Sequence, residues 1–213
     1  MTNDKSIQRA AHSVRELQQM KFEVFPFDGD WLKAFDRPER RGVWLVWGNS
    51  GNGKTSFVMS LCKYLCQFGR VAYDSLEEGT SLTMIRTLER FQMMDVNNRF
   101  LLINNECMEA LNDRLHKRKS PDIVVIDSFQ YTQMNFASYK KFRENNMKKL
   151  IIIISHSDGK LPAGRSARSV MFNADLKIYV EGYRAFSKGR YIGARKYYDI
   201  WPEEAEKYWG NKL

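Results

Sequence analysis

The stretch "GVWLVWGNSGNGKTSF", Gly42 to Phe57, decides the fold. Its first part is an apolar run ending in glycine, the pattern of a buried strand. Its last part opens a helix: Phe57, Val58, Leu61, Cys62 and Leu65 recur at helical spacing, and Gly69 stops the pattern. Between the two, Gly48 to Thr55 read G-x-x-x-x-G-K-T. Glycine allows backbone shapes that other residues avoid. The turn aims the N–H groups of Asn52, Gly53, Lys54 and Thr55 at phosphate oxygens, at a helix N-terminus that favours anions. Gly48, Asn49, Ser50, Gly51, Asn52, Gly53, Lys54, Thr55 and Ser56 are therefore expected to hold the phosphates of ATP or GTP, with ATP the main expectation. Lys54 places its ammonium on the outer phosphates, and Thr55 offers a hydroxyl to Mg²⁺.

Outward from this stretch, strand and helix alternate. "RVAYDS", "RFLLIN", "PDIVVID" and "KLIIIISHS" read as strands. "TSLTMIRTLERF", capped by Thr80 or Ser81, "ECMEALNDRLHKRK" and "FASYKKFRENNM" read as helices. The strands are continuous apolar runs, which fits a parallel sheet covered on both faces. Later, "LKIYVE" and "RYIGARKYY" alternate and are expected to form an antiparallel hairpin; "PEEAEKYWGNKL" reads as a short helix or tail. The expected division is an N-terminal arm, residues 1–41, and one α/β domain, residues 42–213. "VFPFDGDWLKAF" in the arm is aromatic and suits packing on the core or on a neighbouring subunit, with the subunit contact the main expectation.

Two acidic positions complete the expected site. Asp127 follows four aliphatic residues at a strand's carboxyl end, where a second Mg²⁺ anchor belongs. It also suits an ordinary strand-end cap. Glu77 and Glu78 follow the second strand, expected beside the phosphate loop, and one of them should face the γ-phosphate to orient water. A solvated acidic turn is the plainer alternative.

The composition is that of an ordinary globular chain: 213 residues, 43% apolar and 28% charged. No apolar run is long enough for a membrane helix, and the first 20 residues lack the apolar core of a secretory signal. Three cysteines, Cys62, Cys66 and Cys107, with no C-x-x-C pair, argue against a disulfide framework or structural zinc and for a cytoplasmic setting. The net charge is +9, and residues 160–198 hold nine bases against two acids. Such a stretch attracts polyanions, or is simply a solvated face.

Together, "GNSGNGKT", "YDSLEEG", "VVIDSFQ" and "IIISHSDGKLPAGRS" resemble the RecA-superfamily ATPases, and within them the RadA/DnaB/KaiC group. "SLEE" resembles that group's S-G-E-E and S-L-E patterns, "VVIDSFQ" its V-V-I-D-S-x-Q, and "SHSDGKLPAGRS" the loop after its sensor strand. The resemblance implies a RecA-like P-loop core with Mg²⁺-dependent ATPase activity. It makes Glu77 the catalytic acid, with Glu78 in reserve, and His156 a γ-phosphate sensor. It implies loops for single-stranded DNA after the Asp127 and His156 strands. The second loop carries Lys160, Arg165 and Arg168; the first carries Phe129, Tyr131 and Phe136, which suit either base stacking or core packing. It also implies a homo-oligomer, ring or filament, in which Lys196, or failing it Arg195, reaches a neighbour's nucleotide. The chain lacks RadA's zinc module and protease-like domain, and "ARKYYDI" echoes only the lysine of RadA's K-N-R-F-G. The expectation is a stand-alone RecA-like ATPase acting on DNA in recombination, replication or repair. A KaiC-like regulatory ATPase with protein partners is the alternative.

Overall fold

The computed structural model of the chain describes residues 11–210. In chain order the elements are α1 (Val14–Gln19), α2 (Gly29–Phe35), β1 (Gly42–Trp47), α3 (Lys54–Leu65), β2 (Val71–Ser75), α4 (Leu82–Arg90), β3 (Phe100–Asn104), α5 (Met108–His116), β4 (Ile123–Asp127), α6 (Phe136–Asn145), β5 (Leu150–Ser155), β6 (Ser157–Asp158), β7 (Leu161–Pro162), α7 (Arg165–Asn173), β8 (Leu176–Glu181), β9 (Arg184–Ser187), β10 (Tyr197–Asp199) and α8 (Pro202–Trp209). Eight strands form one sheet in the order β10-β9-β8-β1-β5-β4-β2-β3. Every pairing from β8 to β3 is parallel, and β8-β9-β10 is antiparallel.

Strand alternation divides the core into two layers. Trp44 and Val46 face α2 and α3, while Val43, Leu45 and Trp47 face α5, α6 and α7. Both faces are covered, which is why the strands read as continuous apolar runs. Ser81 caps α4 by accepting from the Met84 N–H at 3.1 Å.

Three expectations are corrected. First, "VFPFDGDWLKAF" packs on its own chain: Phe25, Phe27, Trp31 and Phe35 are buried in the α3-side core. Trp31 stacks on Tyr64 and Tyr198, with ring centroids 5.1 and 4.2 Å away. Large aromatics bury much apolar area, and the chain's own core supplies a surface for these four. Residues 11–24 carry exposed Val14, Leu17, Met20 and Phe22, and α1 begins with a capping box between Ser13 and Glu16. The rest of the expected N-terminal arm, residues 1–10, lies outside the described residues.

Second, the hairpin partner of β8 is β9. The turn at Gly182 and Tyr183 takes positive φ at both residues, as a tight two-residue hairpin requires. Most of "RYIGARKYY" is not strand, because its backbone serves another helix. The N–H groups of Gly193 and Arg195 donate to the Ala34 and Lys33 carbonyls, at 3.1 and 2.7 Å, closing the C-terminal end of α2. A Cβ on Gly193 would lie 2.3 Å from the Lys33 carbonyl oxygen, so only glycine permits the approach. Strand alternation therefore does not govern Arg195 and Lys196. Third, β2 is not beside β1; β5 and β4 lie between them.

Candidate nucleotide site

The loop between β1 and α3 lines a cavity of about 860 Å³ at the carboxyl end of the sheet. Its first glycine lets the chain pass β8: a Cβ on Gly48 would sit 2.1 Å from the Val180 carbonyl oxygen. Gly51 and Gly53 take φ of 77° and 93°. The loop is pinned at two points. Asn52 Oδ1 accepts from the Gly182 N–H at 2.8 Å, and Asn49 Oδ1 accepts from the Ser157 hydroxyl at 2.6 Å. Lys54 Nζ donates to the Asn49 carbonyl at 3.0 Å. Burial lowers the Lys54 pKa, against the opposing pull of Asp127 and Glu77.

Gly48, Asn49, Ser50, Gly51, Gly53, Lys54, Thr55 and Ser56 line the cavity, while Asn52 turns to the β8–β9 turn. Glu77, Glu78, Asp127 and His156 line it too. Glu77 reaches it although β2 is three strands from β1. The Leu76 and Glu77 N–H groups donate to the Asp127 carbonyl at 2.7 and 3.2 Å, carrying the chain across the end of β4. Both glutamates line the cavity, and the chain turns after them at Gly79, φ 59°. Their surroundings differ. Glu77 Oε2 lies 3.0 Å from His156 Nε2 and 3.4 Å from the Ser128 hydroxyl. Glu78 lies 3.5 Å from the Thr83 hydroxyl.

Asp127 accepts a hydrogen bond from the Tyr73 hydroxyl. Burial lifts its carboxyl to about 6; the Tyr73 bond pulls down, Glu77 and Glu78 push up, and Lys54 pulls down. Asp127 and Thr55 share the cavity, and the Ser75 hydroxyl, paired with Asp127 across β2 and β4, is buried without a hydrogen-bond partner. An acid and a hydroxyl on the phosphate-loop cavity, with an orphaned hydroxyl next to the acid in the strand register, fit Mg²⁺, which is held by few protein ligands and keeps several waters. Among the described residues no three His, Cys, Asp or Glu side chains form an all-protein metal cage.

The remaining expected residues lie outside this cavity. Lys160 is exposed at the β6–β7 turn, with its carbonyl accepting from the Trp47 indole at 3.2 Å. Arg165 is exposed at the start of α7. Arg168 is committed locally, to Asp158 at 2.8 Å and the Pro162 carbonyl at 3.2 Å. Phe129 is buried, whereas Tyr131 and Phe136 are exposed. Lys196 is exposed; Arg195 pairs with Asp199 and lies 3.7 Å from Asp30.

Sequence reasoning missed Arg90, Phe91, Ser157, Tyr183, Ile200 and Trp201, all on the cavity wall. Arg90 donates to the Ser56 hydroxyl at 3.3 Å and lies over the Phe91 ring. Tyr183 and Trp201 meet edge to face, 5.9 Å apart, and give the cavity an aromatic wall on which a nucleobase could pack. Their only sequence signal was a pair of aromatics flanking the late strands.

No protein-family model matches the chain. It is 33% identical over 86 residues to "DNA repair protein RadA" of Streptococcus pyogenes serotype M3, and likewise to that of serotype M6. The match covers 40% of this chain and spans 18% of the length of those relatives. Among solved structures, flagellar accessory protein FlaH from Methanocaldococcus jannaschii matches 83% of this chain and 93% of its own, with a TM-score of 0.59 and 16% identity. That likeness is one of fold. No described helix is long and apolar enough to cross a membrane. The mostly parallel sheet, with the phosphate loop after β1 and acids at the ends of β2 and β4, gives the chain a RecA-like P-loop α/β fold, and over 86 residues its sequence is similar to RadA.

Proposed function

We propose that the chain binds and hydrolyses Mg·ATP and uses the cycle to change its grip on single-stranded DNA, working as a homo-oligomer. The observation that carries this is the meeting of Lys54, Thr55, Asp127, Glu77 and His156 on one cavity, one hydrogen bond from the hairpin that bears Lys160. On binding, Lys54 leaves the Asn49 carbonyl for the outer phosphates. Thr55 and Asp127 would hold Mg²⁺, which supplies charge neutralisation on the phosphates. Glu77 orients the attacking water and takes its proton. His156 Nε2 steadies Glu77, and its backbone N–H is held by Gln130 Oε1 at 3.2 Å. Gln130 also donates to the Ala163 carbonyl at 3.0 Å, so the sensor and the DNA hairpin share a brace.

The alternative, a regulatory ATPase with protein partners, draws support from a second cavity of about 740 Å³ below Tyr131. Its wall carries Glu106, Glu109 and Asp113 against Lys141, which suits phosphates poorly. DNA contact therefore rests on the β6–β7 hairpin and α7. Binding of a fluorescent single-stranded oligonucleotide, titrated with salt and with and without Mg·ATP, tests the proposal. Salt-sensitive binding that changes with ATP is expected. Absence of binding in either state would favour protein partners.

A further inference from the structure

β2 contributes more to the site than Glu77. Tyr73 and Ser75 lie two residues apart, on one face of the strand. The parallel register pairs Ser75 with Asp127, so both side chains rise from the same face. Tyr73, fully buried beneath α3, donates its hydroxyl to Asp127 Oδ2. That bond fixes one carboxylate oxygen and the rotamer, leaving Oδ1 for the cavity. Ser75 is 1% exposed and its hydroxyl has no partner. A buried hydroxyl without a partner costs free energy and calls for an explanation. A water held by a cation bound at Asp127 would supply that partner.

We propose that Tyr73 and Ser75 are positioning residues for the Mg²⁺ of the nucleotide site, Tyr73 by holding the Asp127 carboxylate and Ser75 by accepting from a cation-bound water. The proposal rests on the Mg·ATP reading above. Partners of metal ligands commonly carry a factor of about 10 to 100 in metal affinity. The test is the Mg²⁺ dependence of binding by a fluorescent N-methylanthraniloyl ATP, for the wild type, Tyr73→Phe and Ser75→Ala, with a reference titration in EDTA.

Both variants are expected to need about tenfold more Mg²⁺ for half-maximal effect, with unchanged affinity in EDTA. Ser75→Ala is the sharper case. A hydroxyl that merely sits orphaned loses nothing when removed, so a structural role predicts equal or better thermal stability and an unchanged Mg²⁺ curve. Unchanged curves in both variants, beside a Mg²⁺-dependent wild type, overturn the proposal alone. Equal weakening in EDTA and in Mg²⁺ assigns the residues to general packing and also overturns it. A wild type whose nucleotide binding ignores Mg²⁺ overturns the Mg·ATP reading and the proposal with it.

Discussion

Glu77 and Glu78 are chemically identical neighbours on one cavity, and their contacts separate them. Glu77 sits between His156 and Ser128, whereas Glu78 leans toward Thr83 at the start of α4. Glu77→Gln keeps the shape and the hydrogen bond to His156 but loses the base. It is expected to bind ATP normally and to lose turnover by a factor of about 100 or more, the scale of general base catalysis. Glu78→Gln should lose much less. Steady-state phosphate release beside equilibrium nucleotide binding measures both, and a reversed order would transfer the base to Glu78. A third acid, Asp74, behaves differently. It is fully buried; one oxygen accepts from the Glu106 N–H at 3.1 Å and the other has no partner. Burial raises its carboxyl from 3.8 to about 6; the bond from the Glu106 N–H pulls down, the Glu106 charge pushes up and the Arg114 charge pulls down. A raised carboxylate pKa means that the folded state holds the proton more tightly. That stabilisation is complete below about 4 and is lost as pH rises through about 6. Asp74→Asn does not titrate, so its stability relative to wild type is expected to rise across this window. Urea midpoints at several pH values check it, and a flat difference would contradict the raised value.

At the scale of elements, the β6–β7 hairpin and α7 carry three cations in unequal states. Lys160 and Arg165 are exposed, while Arg168 is held by Asp158 and the Pro162 carbonyl. Each phosphate contact on a single strand contributes about 0.7 to the salt slope. The double variant Lys160→Ala, Arg165→Ala is expected to flatten the slope of log affinity against log salt by about 1.4 units. Arg168→Ala should change it little. An unchanged slope in the double variant moves the DNA surface elsewhere. What the sequence made legible follows the same division by element. β1, the phosphate loop, α3 and Asp127 were readable because local rules fix them: an apolar run, a glycine-bounded turn and a helical repeat. Ser81 was readable as a cap for the same reason. The strand order was not, since nothing local says that β5 and β4 fall between β1 and β2. Nor was the path of Arg190 to Lys196, whose alternation mimics a strand while its backbone closes α2. Trp201 and Tyr183 reached the cavity through tertiary packing alone.

At the scale of the whole molecule, the cavity holds few cations to meet a triphosphate. As the γ-phosphate bond breaks, negative charge builds on its oxygens and needs a cation. Among the described residues on the cavity wall the lysines and arginines are Lys54 and Arg90, and Arg90 lies beside Ser56 and over Phe91. The late basic segment does not reach its own cavity. Arg190 pairs with Asp175 at 3.0 Å, and Arg195 with Asp199. Lys196 differs: its backbone is fixed, with the N–H on the Lys33 carbonyl at 3.3 Å and the carbonyl accepting from Ser187 at 2.9 Å, while the residue is exposed. A fixed base with an outward cation suits delivery to a second copy, in which Lys196 would stabilise the neighbour's developing charge. ATPase activity should then depend on assembly. Specific activity is expected to rise with protein concentration, and Lys196→Ala to fall well below wild type. Mixing supplies the decisive arm. Lys196→Ala subunits keep their own Glu77, and Glu77→Gln subunits keep the lysine, so mixed oligomers pair an intact site with an intact cation. Activity above the sum of the separate variants is expected. A concentration-independent rate, together with wild-type turnover by Lys196→Ala, would exclude a lysine acting between subunits and leave Arg90 as the cation for the γ-phosphate.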